Sequence, residues 1–235
     1  MQQDPRQFSD ELTFERVIAI EQTHDPSLPT LRELAELEQS LLATPGLAVQ
    51  SLHRLIRSGH RIVIVTVNLD RFVETDVASA VRVFSSEADF VNASEHVRDY
   101  LAGRSDLVPV LKVHGSIDDF ESCVVTNDQT ETGLSERKLE ALKLLIGPEE
   151  APVRWTYIGA SMRDRDLTQF FHSTEFGRGT EEYWVNPHLV DSIEDFARPR
   201  GGFWRKRELQ TLGSRLITET ADTFLTELAD RLASV

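Results

Sequence analysis

The sequence feature that most constrains the fold is an unbroken apolar run, Arg61-Ile62-Val63-Ile64-Val65-Thr66-Val67. Continuous β-branched residues are typical of a strand buried on both faces, as in a parallel sheet. Shorter runs of the same kind predict further strands at 108–113, 122–126, 153–158, 183–185 and 216–218. Helical patterns lie between most of them, at about 95–101, 135–145, 167–172, 189–196 and 223–232. This alternation predicts an α/β fold with an open, mostly parallel sheet flanked by helices.

The region before the first strand has a different pattern. Leu31, Leu34, Leu37 and Leu41 recur at helical spacing, and Gly59 is a usual helix stop. A chain of 235 residues suits one fairly large domain. We therefore expect a single domain over 1–235, with a helical region at 1–60 and an α/β sheet core at 61–235.

The charge balance and the cysteine count exclude several classes of function. The chain has 25 Lys and Arg against 39 Asp and Glu, a net charge of −14, which argues against direct nucleic-acid binding. Cys123 is the single cysteine, so an internal disulfide and a four-cysteine zinc site are both excluded. The apolar runs are strand-sized, and the first 15 residues are polar and acidic. We expect a soluble, cytoplasmic protein that does not contact a membrane.

Small or hydrogen-bonding residues follow four of the predicted strands. They are Asn68 and Asp70, His114-Gly115-Ser116, Gly159-Ala160-Ser161, and Asn186-Pro187. The carboxyl ends of parallel strands lie at one edge of a sheet, which is where ligands bind in open α/β folds. We expect these residues to converge on one crevice.

Each of these positions also has a structural explanation. Asn68 and Asp70 could cap the next helix, and His114 could be a hydrogen-bonded structural histidine. Gly159 with Ser161, and Asn186 before Pro187, are common turn signals. Polar residues after four successive predicted strands weaken the purely structural explanation, but they do not identify a ligand.

The order of these motifs resembles that of the sirtuin superfamily, and their local sequences are similar to those of bacterial sirtuin-like domains. Residues 66–74, TVNLDRFVE, resemble their TTNYDxLLE segment. Residues 112–117, KVHGSI, followed by Val124-Val125-Thr126, resemble KLHGSI and the segment after it. Residues 157–167, YIGASMRDRDL, resemble FLGYSLxDxDL. The resemblance runs from about residue 12 to the C-terminus.

The resemblance implies a Rossmann-like sheet and cleavage of the nicotinamide–ribose bond of NAD, which is the substrate. His114 corresponds to a general base near the ribose, and Asn68 to the residue that positions a water or the ribose. Asp70 corresponds to an acid that orders the nicotinamide pocket. Ser161 and Asn186 correspond to groups that hold the adenosine half. Thr66, Gly115 and Gly159 belong to the same motifs and are assigned with them to NAD binding.

The sequence departs from the family pattern in three places. With one cysteine it has no zinc module, which favours a zinc-free NAD hydrolase over a protein deacylase and predicts no metal ligands. Val67 replaces a polar residue and cannot form a hydrogen bond to the ribose. The Gly-Ala-Gly-x-Ser phosphate loop is missing, so the sequence is expected to start after it.

Two functions remain open at this stage. The first is an NAD-consuming effector of bacterial anti-phage defence, active in a homo- or hetero-oligomer with a regulatory partner protein. The second is a non-catalytic sirtuin-like module that binds a partner protein or an ADP-ribose-type nucleotide. Two smaller features are given structural interpretations: the basic segment 198–207 is a solvated loop, and Asp166 is a helix N-cap rather than a metal ligand.

Overall fold

The structure is a computed structural model that describes residues 14–25, 27–160, 165–171, 173–187 and 216–234. Three predictions fall outside the described residues: the helix at 189–196, the placement of Ser161, and the solvated loop at 198–207.

The N-terminal part is helical, as predicted. It contains α1 (Phe14–His24), α2 (Pro29–Leu41) and α3 (Leu47–Arg57). The apolar face of α3 is covered by the last described helix of the chain, Ala221–Ala233, where Leu55 packs against Leu225 and Ala229.

The first sheet has three parallel strands. They are β1 (Ile64–Thr66), β2 (Val81–Phe84) and β3 (Val108–Lys112), in the spatial order β1-β3-β2. The central strand β3 is buried along its whole length, as its apolar run predicts. Strand β2 has no counterpart in the sequence prediction because it spans four residues and carries the exposed Arg82. Helices α4 (Glu87–Phe90) and α5 (Ala93–Leu101) follow it.

The predicted strand at 122–126 is wrong. A 3-10 helix occupies Phe120–Ser122, and the extended backbone after it pairs with no strand among the described residues. The side-chain oxygen of Gln129 accepts hydrogen bonds from the backbone N–H groups of Val125 and Thr126, at 2.9 and 3.0 Å. These donors are therefore satisfied by the start of α6 (Asn127–Glu131), which is followed by α7 (Glu136–Lys143).

The second sheet also has three parallel strands. They are β4 (Val153–Ile158), β5 (Thr180–Val185) and β6 (Leu216–Ile217), in that spatial order. Helices α8 (Arg165–Phe171) and α9 (Thr174–Gly179) connect β4 to β5, and α10 (Ala221–Ala233) follows β6.

One apolar cluster joins the two sheets. Leu111 and Val113 of the first sheet share it with Leu167 and Phe170 of α8, and Trp155 of β4 packs against it. The predicted α/β architecture, with parallel strands flanked by helices, is therefore confirmed, with the strands arranged as two three-stranded sheets.

Candidate functional site

The loop after β1, residues 67–74, carries Asn68 and Asp70 and is called the β1 loop. Thr66, the last residue of β1, accepts a hydrogen bond on its Oγ1 from the Asn68 backbone N–H at 3.0 Å. The Oδ1 atom of Asp70 accepts from the Phe72 backbone N–H at 3.2 Å. These are local turn contacts, so the helix-capping explanation of Asn68 and Asp70 is wrong.

The two candidate side chains of the β1 loop differ in exposure. The side chain of Asn68 is exposed and makes no hydrogen bond to a described residue, while Asp70 is half-buried. An exposed amide at a strand exit can donate to or accept from a ligand without first giving up a protein partner.

The loop after β3, residues 113–117, is called the β3 loop and is tied to the β1 loop along its length. The Val113 N–H donates to the Thr66 carbonyl at 3.0 Å, and the Ile117 N–H donates to the Leu69 carbonyl at 2.9 Å. The two motifs predicted to share one edge of the sheet are therefore in direct contact.

Gly115 has a conformational reason to be glycine. Its φ is +89°, and a Cβ atom placed there would lie 2.2 Å from the Ser122 carbonyl oxygen. The backbone of the β3 loop lies against Ser122, and the Val124 N–H donates to the His114 carbonyl at 2.8 Å. This packing accounts for Gly115 without a ligand, and its assignment to NAD binding stays a prediction.

The buried side chain of His114 makes a side-chain contact that the sequence analysis missed. Its Nε2 atom lies 2.9 Å from Oδ2 of Asp166, and both side chains are nearly inaccessible, at 7% and 2% exposure. Asp166 was predicted to be a helix N-cap, and that prediction is wrong: it lies in the first turn of α8, within hydrogen-bonding distance of His114. The signal was present in the DxDL motif after β4, whose second acid reaches across to the other sheet.

The contact has a geometric and a chemical consequence. Because α8 follows β4 and His114 follows β3, the contact brings the exits of the two sheets to one place. An ionised carboxylate only accepts hydrogen bonds, so the contact favours the His114 tautomer that carries its ring proton on Nε2. In that tautomer the lone pair of a neutral ring lies on Nδ1, and a carboxylate at Nε2 stabilises a ring that gains a proton.

The second sheet contributes Gly159 and Asn186 at the exits of β4 and β5. Gly159 has a φ of +65°, and a Cβ atom there would meet open space. Asn186 is buried, and its backbone N–H donates to the Ile217 carbonyl at 3.0 Å. Ser161 belongs to the same exit as Gly159 and lies outside the described residues.

Two further residues from the sequence analysis have structural roles. Val67 packs against the core cluster that joins the sheets. The Cys123 thiol is buried beneath the β3 loop, where burial, aided by the nearby Asp119, raises its pKa to about 11. Within the described ranges, no group of three or more His, Cys, Asp and Glu side chains is placed to hold a metal ion.

A cavity of about 370 Å³ is lined on one side by Asp166. Its walls include Val113, Lys138 and Glu87, and they do not include Asn68 or Asp70. The cavity is lined by Asp166 but not by His114, and Ser135 and Lys138 line it on the side of α7.

Parallel strands, a histidine–carboxylate pair and polar loops at the strand exits define a ligand-binding α/β domain of the Rossmann-like type. Comparison with family models finds the SIR2-like domain over residues 62–212, more than half of the chain. The chain therefore belongs to the SIR2-like domain family, whose members use NAD. No curated protein sequence matches the chain. Within the described ranges, no helix is long and apolar enough to cross a membrane.

Proposed function

We propose that the chain is an NAD hydrolase that cleaves the bond between nicotinamide and ribose. The observation that carries the proposal is the buried His114–Asp166 pair at the point where the exits of the two sheets meet. A histidine oriented by a carboxylate is the usual arrangement of a general base that works near neutral pH.

In the proposed reaction, the bond between C1′ of the ribose and the nicotinamide nitrogen breaks, and its electron pair leaves with nicotinamide. Water adds to C1′ and gives its proton to Nδ1 of His114, while Asp166 stabilises the imidazolium through Nε2. Asn68 orients the water or the ribose hydroxyls with its amide. Asp70 orders the nicotinamide pocket, the role that the family resemblance implies for it. The products are nicotinamide, ADP-ribose and a proton.

The other candidate residues complete the proposed binding site. Thr66 fixes the backbone at Asn68, and Gly159, Ser161 and Asn186 hold the adenosine half at the exits of the second sheet. We further propose, on the family resemblance, that the protein works in the cytoplasm in anti-phage defence. There it would be held in an oligomer or by a regulatory partner protein until it is triggered.

Nicotinamide release from NAD by the purified protein tests the proposal. We expect His114→Ala to lower the rate about 10²–10⁴-fold, which is the usual contribution of a general base. His60→Ala is the matched control, because His60 precedes β1 at the opposite edge of the sheet and its Nε2 contacts the Leu232 carbonyl. The expected result is that the His60 variant keeps its activity.

Activity that survives His114→Ala would overturn the proposed mechanism. Tight binding of ADP-ribose by calorimetry, with no turnover of NAD in the presence of any partner recovered with the protein, would favour a nucleotide-binding module instead. Val67 is the residue that fits that outcome, since its side chain packs into the core and offers no hydrogen bond to a ribose.

A further inference from the structure

A lysine lies in β3, which is buried along its whole length, two residues before His114. Lys112 ends β3, and its side chain has no exposed surface. A buried ammonium is costly unless it is paired and hydrogen-bonded, so its contacts define why it is tolerated there.

The Lys112 ammonium reaches across to the β1 loop. Its Nζ atom lies 3.1 Å from the Leu69 carbonyl and 2.6 Å from the Asp70 carbonyl. It also lies 2.9 Å from Oε1 of Glu74 and 3.0 Å from Oγ of Ser116. Three protons are thus shared among four oxygens, and three of those oxygens belong to the β1 loop.

Glu74 is the carboxylate that balances this charge. It lies at the far end of the β1 loop and is 14% exposed. Burial raises the pKa of Glu74, and the attraction of Lys112 opposes that rise. Its second oxygen, Oε2, is buried and has no hydrogen-bond partner in the part of the chain that the structure describes. The carboxyl group is therefore held in place mainly by Lys112.

A second buried ion pair holds the same loop from the opposite side. Glu38 of α2 accepts hydrogen bonds from Nε and one terminal nitrogen of Arg71, at 3.0 and 2.8 Å. Asp70 lies between the two anchored residues, Arg71 and Leu69. The loop is fixed by contacts beneath its backbone, and the Asn68 side chain is left exposed.

We propose that Lys112 is a positioning residue that holds the backbone of the β1 loop against the β3 loop, so that Asn68 and Asp70 face the same substrate as His114. The inference rests on the proposed function for its effect on NAD, while its structural claim stands apart from activity. Lys112 touches no substrate in this scheme and acts through Asn68 and Asp70.

Hydrogen exchange tests the structural claim without reference to activity. In Lys112→Met we expect faster amide exchange in residues 68–75, with unchanged exchange in α10. Glu74→Gln keeps a neutral oxygen for Lys112 and is the second variant if Lys112→Met does not fold; it should show a smaller rise in the same segment. Unchanged exchange at 68–75 in the variant that folds would overturn the proposal, whether or not the protein hydrolyses NAD.

A double-mutant cycle tests the functional claim. We expect Lys112→Met to lower kcat/KM for NAD about a hundredfold, the effect of a small displacement of reacting groups. In an Asn68→Ala background the same change should cost much less, because a residue that acts through Asn68 has little left to position. Equal losses in the two backgrounds would overturn the functional claim.

Leu225→Ala is the control for general destabilisation, because it opens a cavity in the α3–α10 cluster away from both loops. It should lower the melting temperature and leave KM for NAD unchanged. The wild-type protein could lack NADase activity while Lys112→Met still speeds amide exchange in residues 68–75. In that case the proposed function fails and the positioning role of Lys112 stands.

Discussion

The β1 loop and the β3 loop lie side by side at one edge of the first sheet and are held in place in different ways. The β3 loop is buried: His114 contacts Asp166, and Gly115 lies against the Ser122 backbone. The β1 loop is anchored from below by Lys112 and Glu38 and leaves Asn68 exposed. The backbones of both loops are therefore held in place, but the β3 loop buries its polar side chain, while the β1 loop leaves the Asn68 side chain exposed.

The largest effect is expected where the β3 loop is most tightly packed. Gly115→Ala combines a positive φ with a 2.2 Å approach to the Ser122 carbonyl oxygen, and should cost about 4 kcal/mol of unfolding free energy. For a chain of this size we expect the melting temperature to fall by about 10 °C.

Gly133→Ala is the matched control for that prediction. Gly133 also has a positive φ, +79°, but a Cβ atom there would meet nothing within 4 Å. It should cost only about 1 kcal/mol, the strain of the left-handed backbone. Similar melting temperatures for the two variants would show that the β3 loop is less rigid than its contacts indicate.

The next effect concerns the chemistry that the β3 loop supports. Asp166→Asn preserves size but removes the charge that orients His114, so we expect kcat for NAD to fall about a hundredfold. Full activity in this variant would reduce the pair to a structural contact.

An effect of intermediate size is expected at the anchor of the β1 loop. Glu38→Gln weakens the three hydrogen bonds that the carboxylate accepts from the backbone and side chain of the half-buried Arg71, and it removes the charge that raises the pKa of Arg71. We expect a loss of about 2 kcal/mol in unfolding free energy, as for a charged hydrogen bond. Urea denaturation measures this loss of unfolding free energy. Gln39→Ala is the smaller matched change, because the amide oxygen of Gln39 also accepts a hydrogen bond from Arg71.

The sequence predicted what local pattern determines. A largely apolar run located the buried strand β3, large β-branched and aromatic residues located β4, and leucine spacing located α2. The strand exits at Asn68, His114, Gly159 and Asn186 followed from the ends of those runs.

The rest depends on contacts between distant parts of the chain. Asp166 lies 52 residues from His114 and looks like a helix cap until the two sheets are brought together. The error at 122–126 has the same origin, since Cys123 and Val125 pack in one cluster with Ile18 and Leu31 of the N-terminal helices, without pairing as a strand among the described residues. A β-branched run therefore predicts burial more securely than it predicts strand pairing.

The smallest change in stability is expected at the exposed Asn68 side chain of the β1 loop. Asn68→Ala should alter the unfolding free energy by no more than about 0.5 kcal/mol, because its side chain is exposed and bonds to no described residue. The same variant should nevertheless lose NAD hydrolysis down to a small residual rate, about 10²–10³-fold below that of the wild type, because the amide is assigned to the water or the ribose. Thermal melting measures the stability of this variant, and nicotinamide release from the same sample measures its NAD hydrolysis. A large fall in melting temperature would show that Asn68 holds the β1 loop together, and the contrast between an exposed side chain in one loop and a buried one in the other would then be lost.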